Sequence, residues 1–334
     1  MPDRRVWFGI GLGARNGADV SSAAESARLV AQADTGGLDL FTVADHPYFG
    51  EKLDAYALLS FLLGRTGRIA GAVTVTSLPS RLAPVLARTV TSLSALSGGR
   101  VVLGMGAGAI WDMIEKLGVP RLEPGSAVRA MEEAITVIRA LSAGNGPVTF
   151  DGEFYHVSGL DPAGIAAPPV WTGSVGPKSL AVTGRAADGW VPPMASDWRS
   201  KLYRESRPRI DEAAAAAGRD PAQLADVYNF GGRITPEPLA ATRGDDGRWI
   251  GGSVRQWVDE LTAAVLEHGA SGFIYRSTDD TPAIEALARW AREIVPAVRA
   301  AIGSSERPPA RTARIPARAV PALQTGQAGG TPPR

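Results

Sequence analysis

The chain has 334 residues, of which 45% are hydrophobic and 21% charged, and its formal net charge is +1. This composition is ordinary for a globular protein, and the near-neutral charge does not indicate a nucleic-acid or membrane surface. The chain has no cysteine, which excludes disulfides and thiolate nucleophiles, and no apolar run reaches the roughly 20 residues of a membrane span, so we expect a cytoplasmic protein.

Short apolar runs alternate along the chain with segments of helical periodicity. In chain order, the predicted strands are Val6–Leu12, Leu40–Ala44, Ala70–Val75, Val101–Leu103, Val170–Thr172, Gly189–Val191, Asp226–Ile234 and Gly272–Tyr275. The predicted helices cover approximately Ser21–Thr35, Ala55–Arg65, Leu82–Leu96, Ser126–Ala143, Pro177–Ala187, Trp198–Ala217, Val254–Glu267 and Thr281–Ala301. A small hairpin is predicted over residues 147–160, around the turn dipeptide Asp151-Gly152.

Eight strands, each followed by a helix, predict an α/β protein with a (β/α)8 TIM barrel, and a doubly wound sheet is the competing architecture. The insertion 109–124, the hairpin and a long loop at 235–252 are additions to the barrel. We assign residues 1–302 to the barrel. Residues 303–334 are rich in Pro, Ala, Gly and Arg, which predicts a disordered tail.

His46 is the strongest candidate for acid–base chemistry among the three histidines. It follows the second strand directly, with Asp45 before it, and a barrel places its active-site loops after its strands. Histidine exchanges protons near neutral pH, although a structural role in the turn is also open for an Asp-His pair. No HExxH motif or cluster of carboxylates is present, so we expect no metal site.

Two glycine-containing segments follow other strands. Gly104, Gly106 and Gly108 are not followed by the helix of a dinucleotide-binding motif, so they more readily serve the close approach of a flat ring. Residues 172–180, TGSVGPKSL, begin a helix with small residues and a lysine, which suits a phosphate but equally suits an ordinary strand-to-helix turn.

The chain resembles the bacterial luciferase-like superfamily of flavin- and deazaflavin-dependent oxidoreductases over about residues 5–300. The resemblance rests on VADH after the second strand, SLPSRLAP, SLSALSGGRVVLGMGAG, DGEFYHV and VWTGSVGPKSLAVTGRAADGW. It implies a barrel, usually dimeric, with the cofactor at the carboxyl ends of the strands. The branch that it resembles most uses coenzyme F420.

In that branch an acidic residue and a histidine lie beside the cofactor ring, which implies Asp45 and His46 as the catalytic residues, with His46 as general acid or base. A non-proline cis peptide behind the ring would fall at Thr74-Val75. The other implied cofactor contacts are Ser77, Gly106, Ala107, Gly108 and Asp112 for the ring and polyol, and Gly173, Ser174, Gly176, Pro177 and Lys178 for the phosphate. Some sugar-oxidising members have a glutamate where this chain has Ala109, which argues against a sugar phosphate.

The leading hypothesis is therefore an F420-dependent oxidoreductase acting on a small organic substrate. An FMN-dependent monooxygenase, supplied with reduced FMN by a separate reductase, is the alternative, and a non-catalytic flavin-binding barrel is a third. The resemblance also implies a homodimer.

Overall fold

Eight parallel strands close into a barrel in the computed structural model, which describes residues 6–12, 22–193 and 197–304. In chain order the strands are β1 (Trp7–Leu12), β2 (Leu40–Val43), β3 (Ala70–Ser77), β4 (Val101–Gly106), β5 (Val148–Asp151), β6 (His156–Leu160), β7 (Val170–Thr172), β8 (Gly189–Trp190), β9 (Ala225–Gly231), β10 (Arg233–Thr235), β11 (Gly251–Ser253) and β12 (Gly272–Arg276). The barrel order is β1-β12-β9-β8-β7-β4-β3-β2. The predicted (β/α)8 architecture is confirmed.

Helices alternate with the barrel strands and cover the outside of the barrel. They are α1 (Ala23–Thr35), α2 (Ala55–Gly64), α3 (Ala83–Ser97), α4 (Trp111–Ile114), α5 (Pro124–Ala143), α6 (Pro177–Ala186), α7 (Lys201–Ala216), α8 (Val254–His268), α9 (Ala283–Arg289) and α10 (Val295–Ser304). Their ends follow local rules. The Asp54 carboxylate accepts from the Tyr56 and Ala57 amides at the start of α2, and Gly98 ends α3 in the left-handed conformation.

The strands separate two apolar cores because successive side chains point to opposite faces. The outer core lies between strands and helices. The inner core fills the barrel with small and branched side chains and one tryptophan, namely Leu40, Ala70, Ala72, Val102, Trp171, Val191, Ala225, Val227 and Ile274. This packing closes the middle of the barrel, so a ligand site is available only at its ends.

The seventh predicted strand differs from the structure. Residues 226–234 were expected to form one strand, but β9 ends at Gly231 and β10 is a separate strand. At this point the Gly232 amide donates a hydrogen bond to the Arg276 carbonyl, and a Cβ on Gly232 would lie 2.8 Å from Trp257. The predicted loop 235–252 is therefore not wholly irregular, because its end forms β11, which pairs with β10 in parallel.

Most other boundaries agree within a few residues. The insertion 109–124 contains the short helix α4, and the hairpin forms with β5 and β6 antiparallel. The predicted tail starts at residue 303, but α10 continues to Ser304. The predicted helix start at Ser21 and the rest of the tail lie outside the described residues, so the tail stays a prediction, as does the domain boundary at 302. No helix in the described part of the chain combines the length and the hydropathy needed to cross a membrane.

Candidate functional site

Two adjoining cavities open at the carboxyl ends of the barrel strands. The first, which we call the bulge cavity, has a volume of about 190 Å³. It is lined by Ala44, Asp45, His46, Tyr48, Thr74, Val75, Thr76, Ser77, Gly106, Ala107, Gly108, Ala109, Ile110 and Gly173. Most of the residues that the sequence predicted beside a cofactor ring therefore lie together, although they come from four different strand ends.

Val75 forms a ridge in the bulge cavity. The Thr74-Val75 peptide bond is cis, at the position that the family resemblance implied, and the pairing of β3 with β4 shifts register between Val73 and Thr76. A Cβ on Gly106 would lie 2.7 Å from Val75 Cγ2, and one on Gly173 would lie 3.2 Å from the same side chain. The two glycines thus allow Val75 to pack closely against the ends of β4 and β7, and the surface that Val75 presents to the cavity suits a flat ring lying against it.

The Asp45 carboxylate is held by protein groups. Arg81 donates to it twice, from Nε at 2.8 Å and from Nη2 at 2.6 Å, and the Ser77 amide donates to Oδ2 at 3.1 Å. The Asp45 side chain is 1% exposed. These bonds favour a positioning role for Asp45, in which it ties the β2 end to the β3 end. Its predicted contact with a cofactor stays a prediction.

His46 is half-buried, and it lines both cavities. Its Nδ1 hydrogen-bonds with the Tyr48 hydroxyl at 2.8 Å. Within the described part of the chain, Nε2 has no protein partner. Burial lowers the pKa of His46 below its ordinary value of 6.5, and Lys52 lowers it further, while the charge of Asp45 opposes this shift. The imidazole is therefore mainly neutral at pH 7 and can accept a proton.

The second cavity, which we call the barrel-mouth cavity, has a volume of about 260 Å³. It is lined by Gly11, Leu12, Thr42, Ala44, His46, Lys52, Leu53, Thr74, Asn229 and Arg276. Sequence reasoning did not select Thr42, Asn229 or Arg276. The alternation of side chains along each strand could have predicted them, because each lies two residues after a residue of the inner core and therefore on the same face of its strand.

The predicted phosphate-binding residues lie beside the bulge cavity. Gly176, Pro177 and Lys178 are exposed at the start of α6, which has no side-chain cap. Ser174 is buried, and its hydroxyl accepts a hydrogen bond from Thr183 Oγ1 at 3.0 Å. The exposed start of α6 leaves backbone amides available to an anion, whereas the Ser174 hydroxyl already has a structural partner.

Asp112 is separate from both cavities. It lies on α4, its side chain is exposed, and its carboxylate pairs with Arg121. Asp112 lines neither cavity, and its predicted contact with a cofactor polyol stays a prediction. No group of three or more His, Cys, Asp or Glu side chains suitable for a metal ion occurs among the described residues.

The sequence family agrees with the barrel and its site. The model of the luciferase-like monooxygenase family matches residues 5–235. The chain belongs to this family. The match begins before β1 and includes both strand ends that hold Asp45 and Val75, so it covers all the residues lining the bulge cavity.

Curated relatives of the chain include a methylenetetrahydromethanopterin reductase and an F420-dependent dehydrogenase. The 5,10-methylenetetrahydromethanopterin reductase of Methanolobus tindarius is 30% identical over 193 residues, which is 58% of this chain and 56% of the relative. The F420-dependent glucose-6-phosphate dehydrogenase of Microbacterium testaceum is 31% identical over 198 residues, covering 56% of this chain and 57% of the relative. The aligned region thus spans just over half the length of these relatives.

Solved structures share the fold at lower identity. The F420-dependent tetrahydromethanopterin reductase of Methanopyrus kandleri superimposes with a TM-score of 0.72 at 20% identity, covering 87% of this chain and 99% of the other. The EDTA monooxygenase of a Chelativorans species has a TM-score of 0.75 at 17% identity, covering 93% and 97%. At these identities the similarity establishes the barrel fold.

Proposed function

We propose that this protein is an F420-dependent oxidoreductase that transfers a hydride between the deazaflavin and a small organic substrate. The observation that carries the proposal is the position of His46 in the wall shared by the bulge cavity and the barrel-mouth cavity. One cavity suits a flat ring and the other a small substrate. The F420-dependent glucose-6-phosphate dehydrogenase among the curated relatives supports F420 as the cofactor.

The chain's own residues supply binding and proton transfer. Val75, between Gly106 and Gly173, would support one face of the ring, and the start of α6 would bind its phosphate. When bound, the deazaflavin supplies hydride transfer at a ring carbon. In the oxidation of an alcohol to a carbonyl, neutral His46 would accept the hydroxyl proton, while the bound deazaflavin would supply the acceptor for the hydride. Reduction reverses both transfers, with the His46 imidazolium returning the proton.

A binding titration tests the cofactor. We expect F420 to bind at micromolar or lower Kd, and FMN more weakly, in both redox states. Tight binding of FMN alone, with product formed from reduced FMN and oxygen, would replace the proposal with the monooxygenase alternative. Tight binding of F420 without turnover of any small alcohol, hydroxy acid or carbonyl compound would support a non-catalytic barrel.

The role of His46 is tested with two variants. His46→Ala should keep F420 affinity and lose turnover by about 100-fold or more, the usual size of an acid–base contribution. His156→Ala is the matched control, because His156 is exposed on the hairpin and pairs with Asp151. Unchanged turnover in His46→Ala would remove His46 from the mechanism and leave the cofactor assignment standing.

We further propose that the protein forms a homodimer through α2 and α3. These neighbouring helices carry exposed apolar side chains, Phe61 on α2 and Leu82 and Val85 at the start of α3. Exposed apolar groups on adjacent elements are typical of association surfaces, and two copies related by a twofold axis would cover the same patch on both.

A further inference from the structure

The inside of the barrel changes from apolar to polar as it approaches the barrel-mouth cavity. Four strand positions carry this change, each two residues after an inner-core residue, and they are Thr42 after Leu40, Thr74 after Ala72, Asn229 after Val227 and Arg276 after Ile274. Side chains two apart on a strand share a face, so these four point the same way as the core. A polar group facing a cavity needs a hydrogen-bond partner, which water or a ligand can supply.

Arg276 is the distinctive member of this set. It is exposed at the end of β12, and its Nε lies 3.8 Å from the point where a Cβ on Gly11 would stand. In the ranges that the structure describes, its guanidinium has no carboxylate or carbonyl partner. Other arginines of the barrel behave differently, since Arg81 pairs with Asp45 and Arg207 pairs with Asp226.

A second cationic side chain lines the barrel-mouth cavity together with Arg276. Lys52 lines the same cavity, and no Asp or Glu belongs to its described lining. Asp45, which lines the adjoining bulge cavity, is already paired with Arg81. Asn229 and Thr42 add neutral hydrogen-bonding groups, and their side chains have no partner among the described residues. A guanidinium presents its donors as a planar fork that matches carboxylate and phosphate oxygens.

We propose that the barrel-mouth cavity is the substrate compartment and that Arg276 selects a small carbonyl or hydroxyl compound bearing an oxyanion, a carboxylate or a phosphate. The assignment of substrate, as opposed to any ligand, rests on the proposed function. Arg276 binds the oxyanion, Asn229 and Thr42 bind neutral oxygens, and His46 faces the reacting oxygen from the wall shared with the bulge cavity. The volume of about 260 Å³ restricts the compartment to compounds smaller than most drug-sized ligands.

Calorimetric titration of the full-length chain with three probes tests the oxyanion. Pyruvate and pyruvamide have nearly the same shape, and only pyruvate is charged, while inorganic phosphate represents the other oxyanion. We expect pyruvate to bind at least tenfold more tightly than pyruvamide. If the Arg276 variants lose more affinity for pyruvate than for phosphate, the substrate carries a carboxylate. If they lose more affinity for phosphate, the substrate carries a phosphate, and either result supports the proposal.

Four variants identify the residues responsible. Arg276→Met should lower the affinity for the favoured anion at least tenfold and leave the affinity for pyruvamide unchanged. Arg276→Lys should lower the anion affinity less, because lysine keeps the positive charge but lacks the planar guanidinium fork. Asn229→Ala should weaken pyruvate and pyruvamide by similar factors, because it removes a neutral hydrogen bond. Arg255→Met is the control, since Arg255 is 91% exposed on α8 and lines neither cavity.

F420 titrations of the same variants separate this inference from the proposed function. Arg276→Met should leave the Kd for F420 unchanged. If F420 does not bind the native chain but anion binding still depends on Arg276, the proposed function fails and the oxyanion site stands. If F420 binds while neither pyruvate nor phosphate shows any dependence on Arg276, the inference is overturned. A loss of F420 affinity in Arg276→Met also overturns it, because Arg276 would then serve the cofactor's acidic tail.

Discussion

Arg81 encloses the carboxylate of Asp45 in a two-point ion pair, with its Nε on Oδ2 at 2.8 Å and its Nη2 on Oδ1 at 2.6 Å. The same Nη2 also reaches the Asp54 carboxylate at 2.7 Å, and the guanidinium lies over the Tyr56 ring at 4.7 Å. Asp54 caps α2. One arginine from the loop after β3 therefore fixes the end of β2, where His46 follows, and the start of the next helix.

Removing Arg81 should destabilise the fold. Arg81→Met leaves the buried Asp45 carboxylate without its main partner, and we expect the free energy of unfolding to fall by about 3 kcal/mol, measured by urea denaturation. Arg129→Met is the control, because Arg129 and Glu153 form an exposed pair, and such pairs contribute little. Equal, small losses in both variants would show that the Arg81 pair does not hold the site together.

The pKa of His46 provides a second prediction. Its NMR titration should have a midpoint below 6.5, because burial disfavours the charged imidazolium. Lys52→Met should raise that midpoint, since it removes a positive charge that opposes protonation. The His46 signal is identified by its loss in His46→Gln. A midpoint above 6.5 in the native chain would mean that Asp45 outweighs burial.

The lowered pKa of His46 makes both the stability of the fold and the activity depend on pH. Because the folded pKa lies below the unfolded value, the unfolded chain binds more protons between the two, so stability falls as pH drops from 6.5 toward the folded pKa. His46→Gln should remove this part of the pH dependence. Alcohol oxidation needs neutral His46, so kcat/KM should fall over the same acidic range. A rate that rises on acidification would contradict His46 as the base.

The glycines beside Val75 test the bulge cavity. Gly106→Ala would place a Cβ 2.7 Å from Val75 Cγ2, so the ridge must shift into the space proposed for the ring. We expect the Kd for F420 to rise about tenfold, which corresponds to roughly 1.4 kcal/mol. Gly64→Ala is the control, since nothing lies within 4 Å of its added Cβ. Unchanged F420 affinity in Gly106→Ala would place the ring elsewhere.

A charged substitution on α3 tests the proposed dimer surface. Val85 is 59% exposed on α3, and Val85→Glu should convert a dimer into a 34.9 kDa monomer in light scattering. A buried charge opposite its own copy is strongly unfavourable at a twofold interface. Leu117→Glu, in the insertion after α4, should leave the dimer intact. A native chain that is monomeric, or a Val85 variant that stays dimeric, would contradict this surface.

Local sequence determined much of the fold and the position of the site. Apolar runs gave seven of the barrel strands close to their observed bounds, and residues directly after strands, such as His46 and Gly106, are at the cavities because parallel strands end on one side. The division of residues 226–234 into β9 and β10 was not predicted, because it depends on the pairing of Arg233 with Gly251 and on contacts of Gly232 with distant tryptophans.

Other properties of the site depend on groups far apart in the chain. The sequence selected Asp45 as a catalytic residue, yet only the folded chain brings Arg81 to its carboxylate, 36 residues away. Likewise Arg276 and Asn229 face the same cavity as His46 because barrel closure through β1 brings β12 and β9 within three strands of β2. Periodicity reports which side of a strand a residue occupies, whereas the partner that it meets there is decided by tertiary packing.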